Sequence, residues 1–236
     1  MKGNKISIVY KVSILSRNYD TEWIKVQKER KTTLRHKCED LKKENSSFDS
    51  LEKLLIPFNR YKLANLLVDE EHKLLYCYIP KDLEVREMLE TYKKFMIVRH
   101  PTERLLSAYK DKFLSNSPDA KVFKRVYAVP MMRYSRNTSK NIPLTGNGMK
   151  FTEFLSYILS QNPQTLQEHW KSYFHLCHPC AMDYDFVGKY ETLEADSNQI
   201  LKNINAPPDL RFPPFKKSKT GEQLKQGTST LRFSCN

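Results

Sequence analysis

The sequence predicts an α/β fold, and three observations carry that prediction. Two short apolar runs, at Leu74 to Ile79 and Phe95 to Val98, are too brief for helices and suit buried strands. The second is followed at once by a helical pattern: Pro101 has the fixed φ and missing N–H that suit a first helical position, and Leu105, Leu106, Tyr109 and Phe113 then recur at three- and four-residue steps. A third strand, Asp185 to Tyr190, leads into a helix from about Leu193 to Ile204 with Leu193, Ile200, Leu201 and Ile204 inward.

Composition sets the outer limits. With 236 residues, 39% of them hydrophobic and 11% aromatic, the chain can bury one good-sized core and is not of the disordered class. A formal net charge of +13 favours polyanionic partners, among them nucleic acid, anionic membrane and sulfated glycans, and charge alone does not choose. No G-x-x-x-x-G-K-[ST] or G-x-G-x-x-G loop occurs, which excludes the common phosphate and dinucleotide fingerprints.

The chain then reads as follows. Residues 1 to 17 contain apolar stretches interrupted by Lys11, short of the roughly 20 residues of a membrane span and without the continuous centre of a signal peptide. Residues 20 to 44 predict a charged, solvated helix capped by Asp20 or Thr21, with a thin stripe of Trp23, Ile24, Val26 and Leu34. Ser50 to Leu55 predicts a short helix closed by Pro57. Two Asn-x-Ser/Thr acceptors, at Asn45 and Asn137, permit a secretory lumen.

The strand at Leu74 ends at Pro80, with Lys81 at its carboxyl end, where open α/β sheets bind ligands. Residues 115 to 150, polar with one apolar patch at Tyr127 to Met132, predict a loop region with little regular structure on the substrate side. Phe151, Phe154, Leu155, Ile158 and Leu159 predict a core helix ended by Asn162-Pro163.

At the turn after Val98, backbone N–H groups, a helix dipole and the planar fork of Arg99 converge on one spot, which suits an anion. The plainer reading of the same residues is an ordinary βα turn with Arg99 solvated. Cys177-His178-Pro179-Cys180 could be half a zinc site or a redox pair, but no second C-x-x-C or H-x-H partner stands at a useful distance. In an oxidising lumen the cysteines serve disulfides, and five of them leave one over or pair it between chains; connectivity is not legible.

Arg99-x-Pro101-x-Glu103-Arg104-Leu105-x-Ser107-Ala108 resembles the 3′-phosphate-binding motif of the Golgi carbohydrate sulfotransferases, the group containing the chondroitin and N-acetylgalactosamine 4-O-sulfotransferases. His169-Trp170, Cys177-x-Pro179-Cys180 and Tyr184-Asp185-Phe186-Val187-Gly188-Lys189 are similar to further blocks of that family. The resemblance covers about residues 70 to 81 and 90 to 215. It implies a three-layer α/β fold with a short parallel sheet, like that of the P-loop nucleotide kinases. It also implies sulfuryl transfer from 3′-phosphoadenosine 5′-phosphosulfate to a hydroxyl of a glycosaminoglycan or an N-acetylgalactosamine-terminated glycan, with no metal and no nucleic-acid partner.

On the same resemblance Arg99 and Ser107 hold the 3′-phosphate, Arg104 belongs to the donor-binding motif, and Tyr190, in Tyr190-Glu191-Thr192-Leu193, edges the donor site. Lys81 contacts the donor's leaving oxygens, and His169 is the general base, since an imidazole titrates near working pH. The plainer readings are a solvated strand end for Lys81, a structural histidine beside Trp170, and a strand-to-helix junction at Tyr190. His100 stands where the family more often has Glu, Asp or Asn. Pro80-Lys81 is followed by Asp82-Leu83-Glu84-Val85 rather than the family's 5′-phosphosulfate loop, so poor turnover is expected.

The implied organisation is an N-terminal charged helical segment over 1–60, a shortened sulfotransferase domain over 61–215 and a flexible tail over 216–236. The implied location is the Golgi lumen or membrane, with the family's membrane anchor not seen in these residues. The runner-up reading is a non-catalytic glycan- or polyanion-binding protein descended from such enzymes.

Overall fold

A computed structural model of the chain describes residues 4–44, 66–69, 71–77, 85–137 and 142–214. The expected helix at Ser50 to Leu55, Pro80 and Lys81 lie outside the described residues. Among the described residues two compact units are present, one of those up to Val98 together with those of 176–214, the other of Arg99–His175.

The first unit is built on a four-stranded sheet in the order β1 (Leu66–Asp69), β2 (Leu74–Cys77), β3 (Lys93–Val98) and β4 (Phe186–Lys189). β1 pairs antiparallel with β2 through a tight turn, in which the Asp69 carboxylate accepts from the His72 backbone N–H and Lys73 takes a left-handed φ of 49°. β2, β3 and β4 are mutually parallel. The short parallel sheet implied by the sequence is therefore present in a mixed α/β unit. β2 alternates, with Leu75 and Cys77 buried, and β3 buries Met96 while its other side chains stay partly exposed, so it is less enclosed than its apolar run suggests. Tyr76 stacks on Phe95 across the β2–β3 pair at 4.6 Å, the kind of cross-strand pair that fixes register. Helix α1 (Asn4–Glu44) and α2 (Val85–Thr91) precede β3, and a single 3-10 turn (Tyr190–Thr192) joins β4 to α8 (Leu193–Asn203).

Two expectations for α1 are corrected. The helix begins at Asn4, so neither Asp20 nor Thr21 caps it. One face is also not solvated: Trp23 is buried and packs on Phe186, and Gln27 Oε1 accepts the Val187 N–H. Arg30 donates to the Val187 carbonyl and to Asp196, and the Asp20 carboxylate accepts from Gln199 and Lys202 of α8. Partners more than 150 residues away along the chain cover Trp23, Gln27 and Arg30, which is why sparse local periodicity did not announce this face; Ile24 of the expected stripe is 62% exposed.

Asp196 is the centre of the unit's polar interior. Its carboxylate accepts from the Trp23 indole at 3.0 Å, Arg30 Nη1 at 2.9 Å, the Thr192 hydroxyl at 2.6 Å and the Lys189 N–H at 3.0 Å. One buried acid thus ties the N-terminal helix, the end of β4 and the first turn of α8. Two disulfides fasten this unit: Cys77–Cys177 joins β2 to the last residue of α7 (Tyr173–Cys177), and Cys38–Cys180 joins α1 to the turn that follows it. Each cysteine of the C-x-x-C pair is joined to a different element, so the pair is neither a redox couple nor a metal half-site.

The second unit is helical. α3 (Pro101–Tyr109) runs on into a π-helical turn (Lys110–Leu114); α4 (Pro118–Phe123) runs through a second (Lys124–Ala128) into α5 (Val129–Arg136); α6 (Phe151–Ser160) follows. The expectation of a loop over 115–150 is overturned for 118–136, which is helical, while 142–150 is turn and irregular chain as expected. Ser117 accepts the Ala120 N–H as an N-cap with Pro118 at the first helical position, and Ala120, Ala128, Val129, Met131 and Met132 are buried. Small and methionine side chains form this face, so the segment is amphipathic without looking apolar.

Its core is aromatic: Tyr109, Phe113, Phe154 and Trp170 meet edge-to-face or tilted at 5.5 to 6.1 Å, with Phe151, Phe123 and Tyr127 packed around them. Tyr109 donates its hydroxyl to the Met149 carbonyl at 2.6 Å. Leu159, expected inward, is 82% exposed: its neighbour Ile158 is the residue that turns into this core, and Leu159 lies on the outer face of α6. Glu153 caps α6 by accepting the Lys150 N–H and pairs with Arg136 of α5, Nε to Oε1 at 2.6 Å.

Candidate functional site

The second unit carries four of the candidate residues. Arg99 leaves β3 and precedes α3, whose start is the Arg104 N–H bonded to the His100 carbonyl. His100 is the N-cap, with extended backbone and no side-chain cap, so the first turn's N–H groups are left to other acceptors. The Arg99 side chain is 11% exposed, and its Nε lies 3.5 Å from Glu103 Oε2, one turn on. The expected ingredients of an anion site therefore sit together along the chain: a helix N-terminus of nine residues with proline at its first position, and a guanidinium steadied by a carboxylate of the same helix. Ser107 lies two turns further on, partly buried, and its carbonyl accepts the Lys110 N–H.

Arg104 spends its fork differently. Its two terminal nitrogens donate to the backbone carbonyls of Lys171 and Glu168, and its guanidinium lies 4.8 Å from the centre of the Tyr173 ring. Burial pushes its pKa below the usual arginine range, with Tyr173 opposing. This geometry clamps the turn 168–171 to α3, and that turn presents His169.

The turn is closed by the Gln167 carbonyl, which accepts from the Trp170 and Lys171 N–H groups. Gln167 Oε1 also accepts the His169 backbone N–H at 2.7 Å and stands 2.9 Å from His169 Nδ1. The imidazole is half-buried, edge-on to Phe123 with centroids 5.2 Å apart. Desolvation lowers its pKa, and the Lys112 charge lowers it further, which favours the neutral ring, the form able to accept a proton. Lys112 itself lies over the Phe123 ring at 4.9 Å.

Tyr190 belongs to the first unit, where it opens the 3-10 turn after β4 and is partly exposed. Lys81 lies outside the described residues. Among the described residues no group of three or more His, Cys, Asp or Glu is arranged to hold a metal ion. Gln167 escaped the sequence reading, because a glutamine two residues before a histidine has no periodic or motif signature. Lys112 escaped it too: the π-helical turn that carries it breaks the helical spacing by which faces are assigned.

Comparison with known proteins adds an independent line. The sequence profile described as "Sulfotransferase family" matches residues 82–234. Carbohydrate sulfotransferase 14 of Danio rerio is 34% identical over 82% of this chain and 62% of its own length. The Homo sapiens protein of the same name is 36% identical over 65% of this chain and 50% of its own. Carbohydrate sulfotransferase 11 of Rattus norvegicus is 32% identical over 78% and 64% respectively. The chain thus spans between half and two thirds of the length of these relatives. No solved structure matches it.

Proposed function

Since the chain belongs to the sulfotransferase family, we propose that it transfers a sulfuryl group from 3′-phosphoadenosine 5′-phosphosulfate to a hydroxyl of a glycan, of the chondroitin or N-acetylgalactosamine-terminated kind. The donor supplies the activated sulfuryl group; this chain's residues bind, orient and move a proton. The observation that carries the reading is the Arg99–Ser107 segment: a low-exposure guanidinium held by Glu103, followed by a proline-started helix with Ser107 two turns in. A phosphate suits that set, because arginine offers a planar fork and the helix start offers N–H donors.

His169 supplies the base. Its neutral imidazole takes the proton of the attacking hydroxyl, which a charged ring could not do. Arg104 serves this site by holding the His169 turn, and Tyr190 and Lys81 remain donor-side candidates on the family resemblance. That resemblance also supports a three-layer, nucleotide-kinase-like arrangement of the whole domain and a Golgi location. The net charge of +13 favours an anionic glycan. No helix among the described residues is long and apolar enough to cross a membrane.

The test is calorimetry of adenosine 3′,5′-bisphosphate binding beside transfer of labelled sulfate to desulfated chondroitin or an N-acetylgalactosamine-terminated glycan. Arg99→Ala removes a charge-assisted contact of about 1.5 to 3 kcal/mol and weakens binding roughly ten- to a hundredfold, while Arg99→Lys recovers part of it. Equal affinities for parent and Arg99→Ala would remove the anion site, and absence of transfer to any glycan would remove the activity.

A further inference from the structure

The side chain of Gln167 makes two contacts with one oxygen, and together they determine where the His169 proton resides. Its amide could be placed with oxygen and nitrogen exchanged, and only hydrogen bonding decides between the two. Here the His169 backbone N–H points at that atom from 2.7 Å, and an N–H can only donate, so the atom is the carbonyl oxygen. The same oxygen stands 2.9 Å from His169 Nδ1. An amide oxygen has no proton to give, so a hydrogen bond there requires the proton on Nδ1. A neutral imidazole carries one ring proton, and Nε2 is then the bare acceptor.

We propose that Gln167 is a positioning residue, which keeps the His169 proton on Nδ1 and thereby leaves Nε2 to accept the proton of the attacking hydroxyl. The inference rests on the reading of His169 as general base. As the acceptor oxygen bonds to sulfur and the bond from sulfur to the leaving phosphate oxygen breaks, the hydroxyl proton passes to Nε2. The ring becomes imidazolium with Nδ1–H still donated to Gln167. Without Gln167 the ring divides between tautomers, and the Nε2–H form has no lone pair where the hydroxyl proton must go.

The turn holds this pair in place from both sides. The Gln167 carbonyl takes the Trp170 and Lys171 N–H groups, and Arg104 grips the Glu168 and Lys171 carbonyls. The charged groups around the imidazole are Lys112 and Arg104, which oppose its protonation, and Glu168 and Asp111, which favour it. Phe123 closes one edge of the ring.

The test combines long-range 15N–1H correlation spectra of histidine-labelled protein with kinetics of Gln167→Leu, Gln167→Glu and His169→Ala. In the parent, His169 shows a protonated Nδ1 and a bare Nε2. Gln167→Leu mixes the tautomers and lowers kcat by about ten- to a hundredfold, within the 10² to 10⁴ that a general base contributes, with adenosine 3′,5′-bisphosphate affinity unchanged. Gln167→Glu accepts the same two N–H groups and so restores the tautomer. Its charge favours imidazolium, so the acid limb of the rate profile moves to higher pH, a shift that a merely structural role would not give. A parent spectrum with the proton on Nε2, or a Gln167→Leu variant with the parent's tautomer and kcat, overturns the proposal. A correct tautomer in a protein whose His169→Ala variant transfers sulfate at the parent rate shows instead that the base assignment has failed, and the positioning role falls with it.

Discussion

Asp196→Ala should loosen the first unit more than any exposed substitution could. The carboxylate is 3% exposed and accepts four hydrogen bonds, from Trp23, Arg30, Thr192 and the Lys189 backbone. Alanine leaves the Arg30 guanidinium, itself only 13% exposed, without its carboxylate, and deprives an indole N–H and a backbone N–H of their acceptor. Removing one partner of such a buried pair costs about 3 to 5 kcal/mol, because the remaining charge is uncompensated. Asp196→Asn keeps an oxygen for Trp23 and should cost about 1.5 to 3 kcal/mol, the range of a charge-assisted bond. Native-state hydrogen exchange of the β4 and α8 amides reads this unit directly. For Asp196→Ala, protection should fall by about a hundred- to several-thousandfold at 1.4 kcal/mol per decade. Arg30→Met with Asp196→Leu, replacing both charges, should be milder than Asp196→Ala alone. Protection within threefold of the parent in Asp196→Ala, or a double variant worse than the single, would refute the hub.

Three further outcomes are expected. A Cβ at Gly146 would lie 2.1 Å from the Lys124 carbonyl oxygen at a φ of +70°, whereas one at Gly148, at +81°, meets open space; Gly148→Ala should cost about 1 to 2 kcal/mol and Gly146→Ala clearly more, and equal melting losses would contradict this. Non-reducing peptide mapping should link Cys38 to Cys180 and Cys77 to Cys177, and replacing Cys38 and Cys180 by serine, which opens a loop spanning 142 residues, should cost about 2 to 5 kcal/mol, seen in the denaturation midpoint. The Arg136 hydrogen bond, then the Lys150 N–H, hold Glu153 below the usual carboxylate pKa. Its stabilisation is therefore complete above the unfolded value of about 4.3 and is lost as pH falls through the lower folded value. Melting curves of Arg136→Met should accordingly show a shallower acid loss than the parent between about pH 6 and about pH 3, and parallel curves would exclude the pairing.

The parts of the fold that the sequence made legible are those whose signal is local. β3, the Pro101 helix start, β4 and α8 announce themselves through short apolar runs, a proline and a helical period, each within a window of about a dozen residues. The Arg99 to Ser107 segment was legible for the same reason. What stayed hidden depends on distant partners or on side chains without a strong apolar signature. Trp23, Gln27 and Arg30 looked solvated because their partners, Val187 and Asp196, lie more than 150 residues away. The helices over 118–136 looked like loop because Ala120, Ala128, Met131 and Met132 form their buried face and π-helical turns shift the period. Ser117-Pro118-Asp119 is the one local signal of that helix start, a cap residue followed by proline. The Gln167–His169 pair is a property of one turn's conformation, which no spacing rule encodes.

The disulfide arrangement has a consequence for how the chain reaches its native state. Cys38 and Cys77 leave the ribosome long before Cys177 and Cys180, the residues they must finally join across spans of 142 and 100. During that interval their nearest available partners are each other, and the shorter ring between them closes at an entropic advantage of about 1 kcal/mol over either native ring. In an oxidising compartment the early crosslink forms first and ties α1 to β2 before β4 exists. One of the later thiols, which stand three positions apart around His178-Pro179, then breaks it by exchange and displaces one early thiolate, and a thiol oxidant of that compartment must join the freed early thiol to the remaining later one. Disulfide exchange and oxidation, on a scale of seconds to hours, should then be slower than collapse of the helical unit.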